Sequence, residues 1–210
     1  MTPRLPIARE GWPFILVPGA VAVALALTGR RALAAPFAAA SLASLGFFRD
    51  PDRAVPELAN AVLSPADGRV TSVDEAVDAF VGAAVRVSIF LSPLDVHVNR
   101  APMDAVVRDV EYAHGRFLAA YRPEASDVNE RCTLRLEGDQ GRVAVRQIAG
   151  VLARRIVCRV KAGDKLEAGQ RFGLIRFGSR TDLIAPRGTD VRVTVGDRVR
   201  GGETIMAVLR

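Results

Sequence analysis

Three short stretches hold the residue types that make a hydroxyl nucleophilic: Ser64-Pro65-Ala66-Asp67-Gly68, Asp95-Val96-His97-Val98-Asn99-Arg100 and Phe172-Gly173-Leu174-Ile175-Arg176-Phe177-Gly178-Ser179-Arg180. An imidazole that takes the hydroxyl proton, and a carboxylate that holds the imidazole in the right tautomer, turn a serine into an attacking group for a carbonyl carbon. Alternation puts Asp95, His97 and Asn99 on one face of an extended segment and Val96 and Val98 on the other, so His97 belongs to a polar face. Taken alone, Asp67 between alanine and glycine suits a turn as well as it suits catalysis, and Gly178-Ser179 is an ordinary turn dipeptide.

The elements that must position these residues read as mostly β. After Arg53 the chain breaks into short apolar and β-branched runs separated by glycine, proline and aspartate. Strands are expected over residues 69–73, 84–91, 106–111, 132–137, 142–148, 156–160 and 191–195, with a hairpin turn at Gly138-Asp139-Gln140-Gly141. Residues 116–129, with Pro123 inside, read as a loop or broken helix. Val160-Lys161-Ala162-Gly163-Asp164 with Gly169 recurs 33 residues later as Val195-Gly196-Asp197 with Gly202. That repeat resembles the half-motifs of lipoyl and biotinyl domains and predicts a β-sandwich or barrel.

Two uncharged apolar runs of 17 residues each, Pro13–Gly29 and Ala32–Phe48, precede this region. As α-helices they would each cover about 26 Å, a little less than a hydrocarbon core of about 30 Å. They predict a membrane-associating helical hairpin over residues 1–50, followed by a catalytic β domain over 51–210. Arginines flank the hairpin at Arg4, Arg9, Arg49 and Arg53 and occupy its tip at Arg30 and Arg31. This near balance fits two spans or two shallow re-entrant helices.

The 210 residues carry 29 Lys and Arg against 23 Asp and Glu, a net charge of +6, interspersed rather than blocked. That pattern speaks against nucleic acid and, beside an apolar hairpin, for an anionic membrane surface. Cys132 and Cys158 have no CxxC spacing and read as free thiols, and no cluster of His, Cys and carboxylates suggests a metal.

The three stretches resemble the short bacterial and archaeal type of phosphatidylserine decarboxylase, in which the serine of a Gly-Ser pair attacks its own chain and becomes a pyruvoyl group. The resemblance extends to Phe47-Phe48-Arg49-Asp50-Pro51, Asn129-Glu130-Arg131, Gln147-Ile148-Ala149-Gly150 and Ala153-Arg154-Arg155-Ile156. It implies self-cleavage between Gly178 and Ser179, giving residues 1–178 and a pyruvoyl-started piece, 179–210, that remain partners. It implies Asp67 as the residue orienting His97, Ser179 as the source of the covalent pyruvoyl cofactor, and no metal. The ketone would form a Schiff base with the amine of a phospholipid, phosphatidylserine, and hold the electrons released with carbon dioxide. His97 is the candidate to return a proton to the substrate carbon, since imidazoles titrate at about pH 6.5. Arg154 and Arg155 match paired arginines suited to a phosphate. His114 is a candidate substrate contact, although Ala113-His114-Gly115 departs from the family's usual His-Pro-Gly order. The implied location is the cell membrane with the catalytic domain on the cytoplasmic side, and a homo-oligomer stays open.

Two other readings of the same residues stand beside this one. Asp67, His97 and Ser179 could serve a serine hydrolase or peptidase that remains one chain, and the hairpin with the Gly-Asp repeat could belong to a noncatalytic membrane adaptor of lipoyl-like fold.

Overall fold

A computed structural model describes residues 6–119, 124–151, 155–176 and 179–210. The chain divides into two compact units, residues 1–52 and 53–210.

In the first unit, a 3-10 turn (Arg9–Gly11) leads into α1 (Trp12–Leu27), which is followed by α2 (Arg31–Phe47). The helix α1 stops because Gly29 takes a φ of +77°, letting Gly29 N–H reach the Ala26 carbonyl (3.0 Å) and Arg30 N–H the Leu25 carbonyl (2.9 Å). Those two bonds satisfy carbonyls that a helix end leaves open. Ser41 Oγ donates to the Ile15 carbonyl at 2.8 Å and ties the two helices. Together the turn and α1 make a 19-residue helix, Arg9–Leu27, long and apolar enough to cross a membrane, whereas α2 is shorter. Leu16, Val17, Val23 and Leu27 on α1 and Leu33 and Leu42 on α2 are each more than half exposed. A water-facing surface of that kind is costly, and a lipid-facing one is not.

The second unit is mostly β, as its sequence predicts. In chain order it comprises β1 (Ala61–Leu63), β2 (Gly68–Asp78), β3 (Gly82–Leu91), β4 (Val98–Arg100), β5 (Ala105–Ala113), the single-turn α3 (Ala125–Val128), β6 (Arg131–Gly138) and β7 (Gly141–Ile148). There follow β8 (Ile156–Cys158), β9 (Lys165–Leu166), β10 (Arg171–Ile175), β11 (Ser179–Pro186), β12 (Asp190–Val191), β13 (Arg198–Val199) and β14 (Ile205–Val208). Eight strands form one curled sheet in the order β13-β2-β3-β11-β7-β6-β5-β9, and two small sheets, β1-β14-β12 and β4-β10-β8, complete the fold. Val70, Ile89, Leu91, Leu134, Phe172, Leu183 and Met206 meet in the main core. Each such side chain contributes about 1.5–3 kcal/mol on burial.

The β6–β7 hairpin turns at Asp139-Gln140 with Gly138 opposite Gly141, as expected. The strand expected over 191–195 is instead the two-residue β12, because Asp197 Oδ2 draws the Thr194 N–H (2.7 Å) into a turn. Strand β8 likewise ends at Cys158 rather than at residue 160. The repeat is structural: Asp164 accepts from Lys161 N–H (2.9 Å) just as Asp197 accepts from Thr194 N–H (2.7 Å). Its closing glycines, Gly169 and Gly202, pack backbone against backbone.

Candidate active site

Ser179 opens β11, a strand held on both sides: Ser179 to Pro186 pair with Leu91 to Ala84 of β3, and Arg180 to Ile184 pair with Ile148 to Ala144 of β7. Seven of its eight residues, Ser179 to Ala185, are buried. Alternation sends Ser179 and Thr181 to one face and Arg180 and Asp182 to the other. On the second face Arg180 Nε donates to Asp182 Oδ1 (2.6 Å), Arg180 Nη2 to Ser88 Oγ (2.5 Å) and Ser126 Oγ to Asp182 Oδ2 (2.9 Å). The ion pair thus balances two charges taken out of water. On the first face Ser179 Oγ is buried with no hydrogen-bond partner among the described residues.

That first face meets β4, which His97 directly precedes. Asn99 Nδ2 donates to Thr181 Oγ1 (3.2 Å) and to the Pro65 carbonyl (3.3 Å), and Gln147 Nε2 donates to Asn99 Oδ1 (2.8 Å). One buried amide therefore joins the Ser64–Gly68 loop, β4 and β11. His97 lies two residues before Asn99 and Ser179 two residues before Thr181, so the contact links the chain segments that present both side chains. A further tie is Ile175 N–H, which donates to the His97 carbonyl at 3.3 Å, four residues ahead of Ser179.

His97 is fully buried, and its Nδ1 stands 2.9 Å from the Asp95 carbonyl oxygen. A carbonyl only accepts, so Nδ1 carries hydrogen and the neutral ring keeps its lone pair on Nε2. Asp95 is itself fixed by Ser92, whose N–H (2.8 Å) and Oγ (2.7 Å) both donate to Asp95 Oδ2. A tight turn thus sets the tautomer that a base acting through Nε2 needs.

Asp67 is held by partners from outside its own loop. Its described hydrogen bonds come from Arg53 Nη2 to Oδ2 (2.7 Å) and from Gly201 N–H to Oδ1 (2.8 Å). Arg53 Nη1 also donates to Glu203 Oε2 at 3.1 Å. Burial pushes the Asp67 carboxyl above its ordinary range, opposed by the Gly201 N–H and by Arg53, while the charge of Asp95 adds to the rise. The Asp67 carboxylate is therefore near enough to feel the Asp95 charge, and its hydrogen bonds lock the Ser64–Gly68 loop to Arg53 and to the turn at Gly201.

His114 is exposed and packs edge-on against Tyr112, with ring centroids 5.2 Å apart. Tyr112 Oη donates to Glu130. Burial, joined by that carboxylate, pushes the Tyr112 hydroxyl well above its ordinary value, and Arg155 opposes the rise. Arg155 is exposed, and its carbonyl accepts from Arg176 N–H at 3.2 Å. Arg154 and Gly178 lie outside the described residues. No group of three or more His, Cys, Asp or Glu among the described residues could hold a metal ion.

Sequence reading gave no role to Arg53, Asn99, Gln147 or Thr181. The available signal was polarity inside otherwise apolar strands: Asn99 shares the face of His97, and Thr181 shares the face of Ser179.

Comparison with known proteins shows the family. Residues 42–207 match the family model described as phosphatidylserine decarboxylase. A phosphatidylserine decarboxylase proenzyme of Nitrosomonas europaea is 48% identical over 211 residues, covering 98% of each chain. Proteins of the same name from Burkholderia mallei and Burkholderia pseudomallei are each 46% identical over 205 residues, covering 97% of this chain and 95% of theirs.

Proposed function

The chain belongs to the phosphatidylserine decarboxylase family, and we propose that it is a precursor that cleaves itself between Gly178 and Ser179 and then converts phosphatidylserine to phosphatidylethanolamine and carbon dioxide. The observation that carries this reading is the Ser179 hydroxyl, buried and without a hydrogen-bond partner among the described residues, at the start of a strand paired along its length with β3. Leaving a buried hydroxyl unpaired costs about 1–3 kcal/mol, which a purely structural serine would avoid.

In the first step His97 Nε2 takes the Ser179 hydroxyl proton, and Oγ attacks the Gly178 carbonyl carbon. The Gly178–Ser179 C–N bond breaks as the C–O bond forms, so the acyl group passes from nitrogen to oxygen. Loss of the Ser179 α-proton then expels the Gly178 carboxylate and leaves dehydroalanine. This tautomerises, water adds, ammonia leaves, and the new chain begins with pyruvoyl. A group made in place from Ser179 fits the site, since Oγ, which must attack and then leave with the Gly178 carboxylate, has no hydrogen-bond partner among the described residues. It supplies an amine-reactive ketone that holds the electrons released with carbon dioxide. His97 Nε2 then returns a proton to the substrate carbon.

The two pieces stay together because 179–210 contributes β11 between β3 and β7, and β14 between β1 and β12. Arg155, with Arg154, serves the lipid phosphate, and His114 stands as a further substrate contact. Residues 1–52 hold the protein on an anionic membrane surface, with the catalytic unit on the cytoplasmic side.

Vesicles containing phosphatidylserine test the reading. The full chain should release carbon dioxide in step with phosphatidylethanolamine, and Ser179→Ala should stay one chain and be inactive. Normal decarboxylation by uncleaved Ser179→Ala overturns it.

A further inference from the structure

The chain has two cysteines, 26 positions apart in sequence, and the fold brings them together. Cys132 lies on β6 with Gln147 of β7 as its cross-strand partner, and Cys158 lies on β8 opposite Gly173 of β10. Those two pairs face each other: a side chain added at Gly173 would stand 3.0 Å from Gln147 Nε2. Cys132 is therefore stacked beneath Cys158, and both pack on one small apolar cluster with Ala149, Ile156 and Ile175. Cys158 Sγ donates to the Val160 carbonyl at 3.8 Å, and both thiols are free. Cys132 is buried, while Cys158 is partly open to solvent.

From this juxtaposition we infer that Cys132 and Cys158 are a modification site, a dithiol that closes into an intramolecular disulfide when it meets a small disulfide oxidant such as oxidised glutathione. Cys158, the accessible member, attacks one sulfur of glutathione disulfide, forming a mixed disulfide and releasing one glutathione. The Cys132 thiol loses its proton and attacks the Cys158 sulfur, expelling the second glutathione. Two protein thiols are oxidised to one disulfide and glutathione disulfide is reduced to two thiols, so electrons balance.

Local chemistry favours this order. The neighbouring Cys132 thiol draws the Cys158 thiol down to about 7 against burial, while proximity to Cys158 and burial push Cys132 up. The charged or titratable groups facing the pair are Tyr112, directly opposite Cys132 on β5, its partner Glu130, and Arg155. Once formed, the bond braces β6 to β8. Strand β8 pairs with β10, and Ile175 at the end of β10 precedes Ser179 by four residues. The brace thus sits in the layer behind the self-cleavage site, independent of the chemistry proposed there.

The test uses the full native chain, in detergent, incubated with oxidised glutathione and read by intact mass and thiol titration. The expected product is a monomer without free thiols and about 2 Da lighter, restored by dithiothreitol, with a raised urea midpoint. Cys132→Ser should stop at the mixed disulfide, about 305 Da heavier, and Cys158→Ser should not react. Both thiols persisting, a disulfide-linked dimer, or a wild-type protein that halts at the mixed disulfide each overturns the inference. Because these readouts do not involve decarboxylation, their failure leaves the proposed activity untouched, and the converse also holds.

Discussion

Replacing Asp182 by leucine strands the Arg180 guanidinium, which is 4% exposed and retains only Ser88 Oγ among its described side-chain partners. Removing one member of a buried pair costs about 3–5 kcal/mol, because the remaining charge is neither solvated nor neutralised. Loss of the Ser126 Oγ bond to Asp182 falls within that figure rather than adding to it. Replacing both Arg180 and Asp182 by leucine removes the stranded charge, and such double replacements are close to neutral. The double variant should therefore recover about 2–4 kcal/mol relative to Asp182→Leu alone. Urea unfolding in the Ser179→Ala background keeps the molecule one chain throughout. With a slope of about 3 kcal/mol/M, the single variant should lose at least about 1 M in midpoint and the double variant should regain most of it. A single variant within about 1 kcal/mol of its parent, or a double variant worse than the single, would refute the claim that this pair is what permits a charged residue beside Ser179.

Other consequences are as direct. A Cβ at Gly68 would stand 2.3 Å from the Phe90 carbonyl oxygen, with φ at +155°, so Gly68→Ala should lower stability by more than about 2 kcal/mol in the same unfolding assay. Thr181→Val removes the hydroxyl that accepts from Asn99 and should slow the appearance of cleaved fragments, whereas Thr181→Ser should restore the rate. Cys158, drawn down to about 7, should be alkylated by iodoacetamide about tenfold faster at pH 8 than at pH 6 and then level off. An ordinary thiol would keep accelerating beyond pH 8, and Cys158→Ser should remove the reaction. If the 19-residue Arg9–Leu27 helix anchors the chain in lipid by apolar contact, as proposed, the full chain should stay with membranes after a high-salt wash.

Much of the fold was legible because β alternation and turn residues are local signals. Strands β3, β6 and β7, the Asp139-Gln140 turn and the two N-terminal helices all follow from them. The stretch 191–195 misled because Val191, Val193 and Val195 alternate like a strand, yet the Asp197 side chain captures the Thr194 backbone. Within the site, Ser179 and His97 stand out by type and by family resemblance. The partners of Asp67 do not, because Arg53 and Gly201 are distant in sequence and meet it only through closure of the β unit. The tautomer of His97 was not legible. Ser92-Pro93-Leu94-Asp95 is a turn signal, but that its last carbonyl would face Nδ1 depends on the backbone path into β4.

The central claim is that Ser179 breaks its own chain, and the intact mass of the freshly purified full-length protein under denaturing conditions tests it most directly. Cleavage predicts a 32-residue fragment, 179–210, of about 3.4 kDa by scaling 22.5 kDa by 32/210. Loss of ammonia makes it about 17 Da lighter than the same peptide beginning with serine. A single uncleaved chain from folded, membrane-bound protein would contradict the account.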